Sequence, residues 1–434
     1  MPKISFITLG CKLNYAETST YERGFVRKGF QVVPPKDEAD VYLINTCSVT
    51  EHSDKKSRNL IRKMHRTNPD AVIVVTGCSA QLRRSEIEKI EGVSLVFGAT
   101  EKSAVVDTVT EYVLNGRTAP IPDTGRKEGT ALPCLNRPAA RDTVFPAYSS
   151  GERTRSFLKV QDGCDYKCAY CTVPYARGES RNIPIAEAVL QAREIAASGI
   201  KEIVLTGVNT GDFGRTTGET FPDLLKNLNE VEGIERYRIS SIEPNLLTEE
   251  IVDWIASGTK FLPHFHIPLQ SGSDTILKAM GRRYDTAAFS HKIRYIREKM
   301  EKPGMPEVFF GIDVIAGFPG ETDSLFEETY RFLEQDIRPA FIHIFPYSRR
   351  PGTPAATMSG QVQDRIKTER VERLEELCAR LHEDFLKANI GLHGKVLFES
   401  SEKGGMMSGY TENYIRIERP YDPELAGRIC DVII

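Results

Sequence analysis

Residues 161–171 read Gln-Asp-Gly-Cys-Asp-Tyr-Lys-Cys-Ala-Tyr-Cys, which sets Cys164, Cys168 and Cys171 in a C-x-x-x-C-x-x-C loop. The loop directly follows Ser156 to Val160, which reads as a strand. Downstream, Pro184 to Ser198 reads as a helix, with Pro in its first turn, apolar residues Ile185, Val189, Ala192 and Ala196, and Gly199 as the stop. Further strands are predicted at Glu202 to Thr206, Tyr237 to Ser240, His264 to Ile267, Val308 to Ala316 and Ala340 to Phe345, separated by helical stretches. Six parallel strands with helices outside make an open (β/α)6 barrel, and the loops at the strand ends of such a barrel hold its chemistry. The cysteine loop is the first of them.

Upstream, Lys3 to Leu9, Val41 to Asn45 and Ala71 to Thr76 are short, mostly apolar stretches that each read as a fully buried strand, because parallel strands covered on both faces lose the polar alternation. Amphipathic stretches such as Glu51 to Thr67 lie between them, so the fold class is α/β and the N-terminal sheet is doubly wound and parallel. Residues 116–152 are rich in Pro, Gly and Arg without periodicity and read as a linker. After a polar helix, Gln363 to Asn389, strand-like segments at Lys395 to Glu399 and Asn413 to Ile417 form a small C-terminal β module. The predicted domains are therefore 1–115, a linker over 116–152, the barrel over 153–390, and the β module over 391–434. No internal repeat is visible.

The chain has 434 residues, with 57 Lys and Arg against 60 Asp and Glu. That near balance excludes a basic coat, so any polyanion site has to be a local patch. The longest uninterrupted apolar run, Ala71 to Val75, is far short of the roughly 20 residues a membrane span needs. No secretory signal is readable at the N-terminus, and the expected location is the cytoplasm. Nine cysteines in such a chain argue against a disulfide framework and point to metal binding, catalysis or burial.

Three thiolates in one loop can ligate three irons of a 4Fe-4S cluster and leave the fourth iron open to a chelating ligand. Structural zinc needs four ligands, and no further Cys or His follows Cys171 until His264. Three more cysteines, Cys11, Cys47 and Cys78, each lie just beyond a predicted strand C-terminus, the edge at which ligands bind in a doubly wound sheet. Convergence there favours a second metal site over simple burial. Cys134, Cys378 and Cys430 have no partners at ligand spacing and read as structural.

The C-x-x-x-C-x-x-C loop at the first strand of a six-strand series resembles the radical S-adenosylmethionine (SAM) superfamily. Later strand ends look like its SAM pocket: Gly207 and Asn209 in a glycine-bearing turn, Ser241 and Glu243 as hydrogen-bonding groups, Gly317 and Gly320 as points of close backbone approach. Each of these also reads as an ordinary turn. The whole chain resembles the methylthiotransferase family through Thr8 to Asn14, Asn45 to Thr50, Thr76 to Cys78, Gly163 to Arg181 (including Pro174 to Gly178) and His266 to Gly272. That resemblance implies an auxiliary 4Fe-4S cluster on Cys11, Cys47 and Cys78, a SAM-binding 4Fe-4S cluster on Cys164, Cys168 and Cys171, and a C-terminal RNA-binding module of the TRAM type. The wording around Cys11 and Cys164 looks most like the branch acting on N6-threonylcarbamoyladenosine beside the tRNA anticodon. Relatives act on isopentenyladenosine or on a ribosomal-protein aspartate. The implied partners are the tRNA anticodon stem-loop and a low-potential flavodoxin- or ferredoxin-like electron donor, with no membrane and a monomeric chain. An electron carrier with two clusters, or a zinc-dependent RNA-binding module, would share only parts of this pattern.

A tRNA substrate requires phosphate-binding surface. The C-terminal module is a poor source, with five basic residues against seven acidic over 392–434. Tyr410 and Tyr414 are its candidates for stacking on bases. The better patch is Lys55, Lys56, Arg58, Arg62, Lys63 and Arg66 on the helix after Cys47, whose alternative is a solvated helix face. Arg282-Arg283 and Arg349-Arg350 are further candidates for phosphate or a substrate carboxylate.

Overall fold

The structure is a computed structural model that describes residues 1–434 except Val49, 116–143 and 152–153. Most of the predicted linker, and Cys134 within it, therefore lie outside the described residues. The chain divides into two compact units. One holds residues 1–149 with 162–166 and 171–181, and the other holds 150–161, 167–170 and 182–434.

The first unit is built on a parallel sheet of β1 (Lys3–Thr8), β2 (Gln31–Val32), β3 (Val41–Thr46), β4 (Val72–Gly77) and β5 (Val93–Val96), in the order β2-β1-β3-β4-β5. Strands β3 and β4 are buried at every position, so their apolar runs carry no polar alternation. Alternate residues feed two separate cores: Val41, Leu43, Val72 and Val74 pack on one face, and Tyr42, Ile44, Ile73 and Val75 on the other. Helices α1 (Lys12–Arg27) and α2 (Glu51–Thr67) connect the strands, and the Thr50 hydroxyl caps α2 by accepting from the Ser53 amide.

In the second unit β6 (Arg155–Lys159), β7 (Glu202–Thr206) and β8 (Arg236–Ile239) pair in parallel in the order β8-β7-β6. Strands β9 (His264–Gln270), β10 (Phe309–Ala316) and β11 (Phe341–Pro346) form a second parallel run. The runs meet through a single bridge, Tyr237 to Phe261, and the bond from the Ile242 amide to the His266 carbonyl at 3.1 Å. These are the six predicted strands, with the sheet interrupted between the third and fourth. Helix α3 (Thr286–Met300) covers one face of the second run, where Arg297 lies over the Phe310 ring.

The C-terminal module is an antiparallel sheet of β12 (His393–Phe398), β13 (Met406–Tyr410), β14 (Arg416–Pro420) and β15 (Ile429–Ile433), in the order β14-β13-β12-β15. The strand expected at Asn413 to Ile417 begins later, at Arg416. Asn413 is buried and donates to the Glu307 carbonyl and the Asn389 side chain, and Tyr414 takes a left-handed φ of 66°, so this stretch is a turn anchored in the barrel. Barrel strand β8 holds the module: Arg236 donates to the Lys395 and Tyr410 carbonyls, and Arg238 to those of Thr411 and Glu412. Glu202, with a side chain 1 % exposed, is the carboxylate for Arg238 at 2.9 Å and Arg236 at 3.8 Å. A buried charge that loses its partner typically costs about 3–5 kcal/mol. Glu202→Gln is therefore expected to lower stability by about that amount in urea unfolding followed by the fluorescence of Trp254, the single tryptophan. An unchanged midpoint would show that the arginines are satisfied without it.

Candidate functional site

Cys11, Cys47 and Cys78 lie directly beyond the C-terminal ends of β1, β3 and β4, at one edge of the N-terminal sheet. Cys11 occupies the position just before α1 without a side-chain cap, and Cys78 opens the short helix Cys78–Leu82. Two glycines allow the close approach. Gly10 has φ +99°, and a Cβ there would sit 2.7 Å from Cys47 Cβ and 2.9 Å from its Sγ. Gly77, also at φ +99°, would place a Cβ 2.3 Å from the Thr46 carbonyl oxygen.

Behind these thiols lies a buried charge network that sequence reasoning did not find. The guanidinium of Arg177 reaches Glu17 at 3.1 Å, Asp162 at 3.0 Å and the Asn14 side-chain oxygen at 2.6 Å. Lys102 pairs with Glu17 at 2.7 Å, and Arg181 approaches Asp162 at 3.7 Å. Among these described residues three cations face two carboxylates, and the charges of Arg177 and Lys102 are felt by the Cys78 sulfur. Burial opposes the charge on Arg177, yet Cys78, Asp162, Glu17 and Cys11 together push its pKa well above the ordinary value. Burial likewise pushes the Cys78 thiol up, while Arg177 pulls it down. A soft three-sulfur donor set backed by buried cations fits an anionic iron-sulfur cluster. Arg177 falls inside the Pro174 to Gly178 stretch that carried the family resemblance. A charged side chain between alanine and glycine was its only signal.

The second triad shares one short loop. Gly163 turns it at φ +73°, where a Cβ would lie 2.0 Å from the Glu179 carbonyl oxygen, and the Cys164 amide donates to the Gly178 carbonyl at 3.1 Å. Each sulfur accepts a hydrogen bond: Cys164 from the Tyr166 amide at 3.4 Å, Cys171 from the Val173 amide at 3.4 Å, and Cys168 from Arg282 at 3.1 Å. Hydrogen bonds to the sulfurs of a bound cluster would tune its potential. Arg282 also donates to the Tyr170 hydroxyl and forms an ion pair with Glu243. This corrects the reading of Arg282 as a phosphate contact, because its side chain is only 2 % exposed and is spent inside the barrel. Arg350 is likewise buried, at 3 % exposed, whereas Arg349 is exposed and donates to the Ala356 carbonyl at 2.7 Å.

The residues proposed for SAM lie at successive strand ends of the barrel. Beyond β7, the amides of Val208 and Asn209 both donate to the Gln161 side-chain oxygen at 2.9 Å, which shapes the turn containing Gly207. Asn209 is 3 % exposed, and among the described residues neither polar atom of its side chain has a hydrogen-bond partner. Buried polar groups are normally satisfied, so this amide is a fitting contact for a bound polar cofactor. Beyond β8, the Ser241 carbonyl accepts from the Thr210 hydroxyl at 2.9 Å, and Glu243 is occupied by Arg282. Beyond β10, Gly317 and Gly320 adopt φ +78° and +86°; the Gly317 amide donates to Glu321, itself paired with Arg370 at 2.8 Å.

The basic stripe lies on α2 with Lys55, Lys56, Arg62, Lys63 and Arg66 exposed and Arg58 half-buried. Among the described residues none of the six forms an ion pair within 4 Å, whereas Arg83 and Arg84 nearby in sequence do. Tyr410 and Tyr414 are placed differently from the expectation of free stacking faces. Their rings stack on each other at 4.7 Å, Tyr414 packs on His264 and Phe309, and Arg155 and Arg238 lie over them. The tyrosines dock the module on the barrel because its strands are too few to bury a core alone. Cys378 is buried against Ile342 of β11, as a structural thiol would be.

Replacing Cys11, Cys47 and Cys78 together by Ala is expected to remove roughly half of the iron held after anaerobic reconstitution, while the barrel triad keeps its share. Iron and sulfide analysis measures this; full iron retention would show these thiols to be buried side chains without a metal role.

Residues 3–98 match the profile described as Uncharacterized protein family UPF0004, and residues 158–333 match the Radical SAM superfamily. The chain is 38% identical to the threonylcarbamoyladenosine tRNA methylthiotransferase MtaB of Bacillus subtilis (strain 168), over 100% of this chain and 94% of that one. It is also 38% identical to the protein of the same name from Aquifex aeolicus (strain VF5), over the whole of both chains. The tRNA-2-methylthio-N(6)-dimethylallyladenosine synthase of Bacillus subtilis is 31% identical, over 98% of this chain and 82% of that one. Among solved structures, the radical S-adenosylmethionine methyltransferase TsrM from Kitasatospora setae superposes with a TM-score of 0.57 at 15% identity, covering 82% of this chain and 74% of that one, which is a likeness of fold. With two cysteine triads placed at strand ends and full-length identity of this order, the chain belongs to the radical SAM methylthiotransferase family.

Proposed function

We propose that this enzyme converts N6-threonylcarbamoyladenosine beside the tRNA anticodon to its 2-methylthio derivative, with SAM and two 4Fe-4S clusters as cofactors. The observation that carries the reading is the pair of cysteine triads, the first at the ends of three parallel strands and the second in the loop after the first barrel strand, each set against a buried guanidinium. The threonylcarbamoyl substrate is favoured over dimethylallyladenosine because five relatives named for the first are 32–38% identical, four of them at 36–38%, against 31–33% for three named for the second.

When bound, SAM and the clusters supply the radical and the sulfur needed to replace an inert aromatic C–H, which acid and base groups cannot do at neutral pH. The chain's own residues bind, orient and shield. Cys11, Cys47 and Cys78 hold the auxiliary cluster against Arg177, Arg181 and Lys102, whose charge offsets the cost of burying anionic sulfur. Cys164, Cys168 and Cys171 hold the SAM-binding cluster, with Arg282 fixing Cys168 and Glu243 fixing Arg282. Gln161 presents the turn through Gly207 and Asn209 to SAM, with Ser241, Gly317 and Gly320 at neighbouring strand ends. Residues 1–115, 153–390 and 391–434 serve as the auxiliary-cluster, barrel and TRAM-like domains. Among the described residues no helix is long and apolar enough to cross a membrane. We assign the enzyme to the cytoplasm as a monomer reduced by a flavodoxin- or ferredoxin-like donor.

Anaerobic reconstitution with SAM and tRNA bearing unmodified, threonylcarbamoylated or dimethylallylated adenosine tests the reading by nucleoside mass. The methylthio product is expected from the threonylcarbamoylated tRNA; product from the dimethylallylated one alone would move the enzyme to the other branch. Neutralising Lys55, Arg58, Arg62 and Arg66, which share a helical stripe, is expected to weaken tRNA binding and to reduce its salt slope by about one for each phosphate no longer neutralised. Unchanged affinity at two salt concentrations would return the stripe to a solvated helix face.

A further inference from the structure

Three neighbouring barrel strands bring His266, Asp313 and His343 together, a set used neither for the clusters nor for SAM above. His266 Nε2 and Asp313 Oδ1 are 2.6 Å apart, the His266 and His343 rings are 4.8 Å apart, and one ligating atom from each of the three lies within 4.8 Å of the others. Asp313 is in register with His343, and Gly311 with both His266 and Phe341. Alternation along the strands puts these residues on the sheet face opposite Phe310, which α3 covers through Arg297. They therefore face the barrel interior. The charge of Asp313 is felt by Glu243, which is paired with Arg282, itself bonded to Cys168. The cluster is thus continuous with the barrel's chemical end.

Its surroundings are unusual in one respect. Phe341 and Phe345 project from β11 on the same face as His343 and are 37% and 42% exposed. They are two of only three aromatic residues that stand so exposed among the described residues, the third being Tyr15. Phe341 meets the His343 ring edge-on at 4.9 Å and the His382 ring at 6.1 Å, whereas no ring contact of Phe345 is seen among the described residues. A flat exposed ring at Phe345 beside a carboxylate and two imidazoles matches a purine: the ring takes its face, and the polar set takes an edge carrying both N–H donors and carbonyl or carboxylate acceptors.

We propose that this surface is the binding site for the target nucleobase, with Phe345 stacking on the adenine and the His266, Asp313 and His343 set recognising its N6 substituent. The inference rests on the proposed function, which supplies an N6-carbamoylated adenine as the ligand. A metal ion on the same three side chains is the competing occupant.

The test uses the reconstituted enzyme and an anticodon stem-loop RNA with or without the threonylcarbamoyl group, reading both RNA affinity and steady-state kinetics. Phe345→Ala is expected to raise Kd and KM about tenfold, within the range for removing one base–aromatic stack, while Phe345→Tyr keeps both near wild type. His343→Ala and Asp313→Asn are expected to erase the preference for the modified RNA over the unmodified one. Iron content and thermal unfolding matching wild type exclude a folding defect in each variant. Unchanged Kd and KM in Phe345→Ala, or one equivalent of zinc that disappears in His343→Ala, would overturn the proposal. A wild-type enzyme forming no methylthio product from this RNA would instead overturn the proposed function, so the two failures are distinguishable.

Discussion

Anionic sulfur in a protein interior is tolerated only where positive charge or directed hydrogen bonds meet it. In the first unit the cation placed to meet such charge at Cys78 is Arg177, which is 2% exposed and held by Glu17, Asp162 and Asn14, with Lys102 and Arg181 nearby. In the second unit Arg282 plays the equivalent part at Cys168, held in place by Glu243. Each guanidinium is anchored by carboxylates before it meets sulfur, so its direction is set in advance of any ligand. Lysine would not serve as well, because a point charge cannot divide its donors between a carboxylate and a thiolate in one plane.

The parallel strand supplies the second element of order. Its C-terminal end is where the chain leaves the sheet and where turns, glycines and helix starts collect. Cys11, Cys47 and Cys78 use these ends in one sheet, and Gln161, Asn209, Ser241 and Gly317 use them in the barrel. Glycines at Gly10, Gly77 and Gly163 let backbone pass within distances that a Cβ would forbid. The reactive groups are therefore placed by backbone topology, and their charges are then balanced by side chains from far along the chain.

The C-terminal module shows how a small sheet is stabilised by its neighbour. Arg236 and Arg238 reach from β8 to four of its carbonyls, Arg155 pairs with Glu399 at 3.1 Å, and the Tyr410 and Tyr414 rings close the seam. Glu202 sits beneath all three arginines. The same tyrosines therefore cannot offer open faces to RNA, and the cationic stripe suited to phosphates lies elsewhere, on α2.

Local pattern alone determined the two triads, the apolar strands and the (β/α) alternation, because ligand spacing and strand burial are written within a few residues of one another. The helix Glu51 to Thr67 and the strand Glu202 to Thr206 match their predicted bounds for the same reason. Tertiary structure decided what depends on residues distant in sequence. Arg177 meets Glu17 from 160 positions away, Arg282 meets Cys168 from 114, and His266 meets Asp313 from 47. No periodicity links such pairs, since only the folded sheet brings them together. The start of β14 at Arg416 has the same origin: Asn413 is drawn into the barrel by Glu307 and Asn389, partners that the local sequence around Asn413 does not contain.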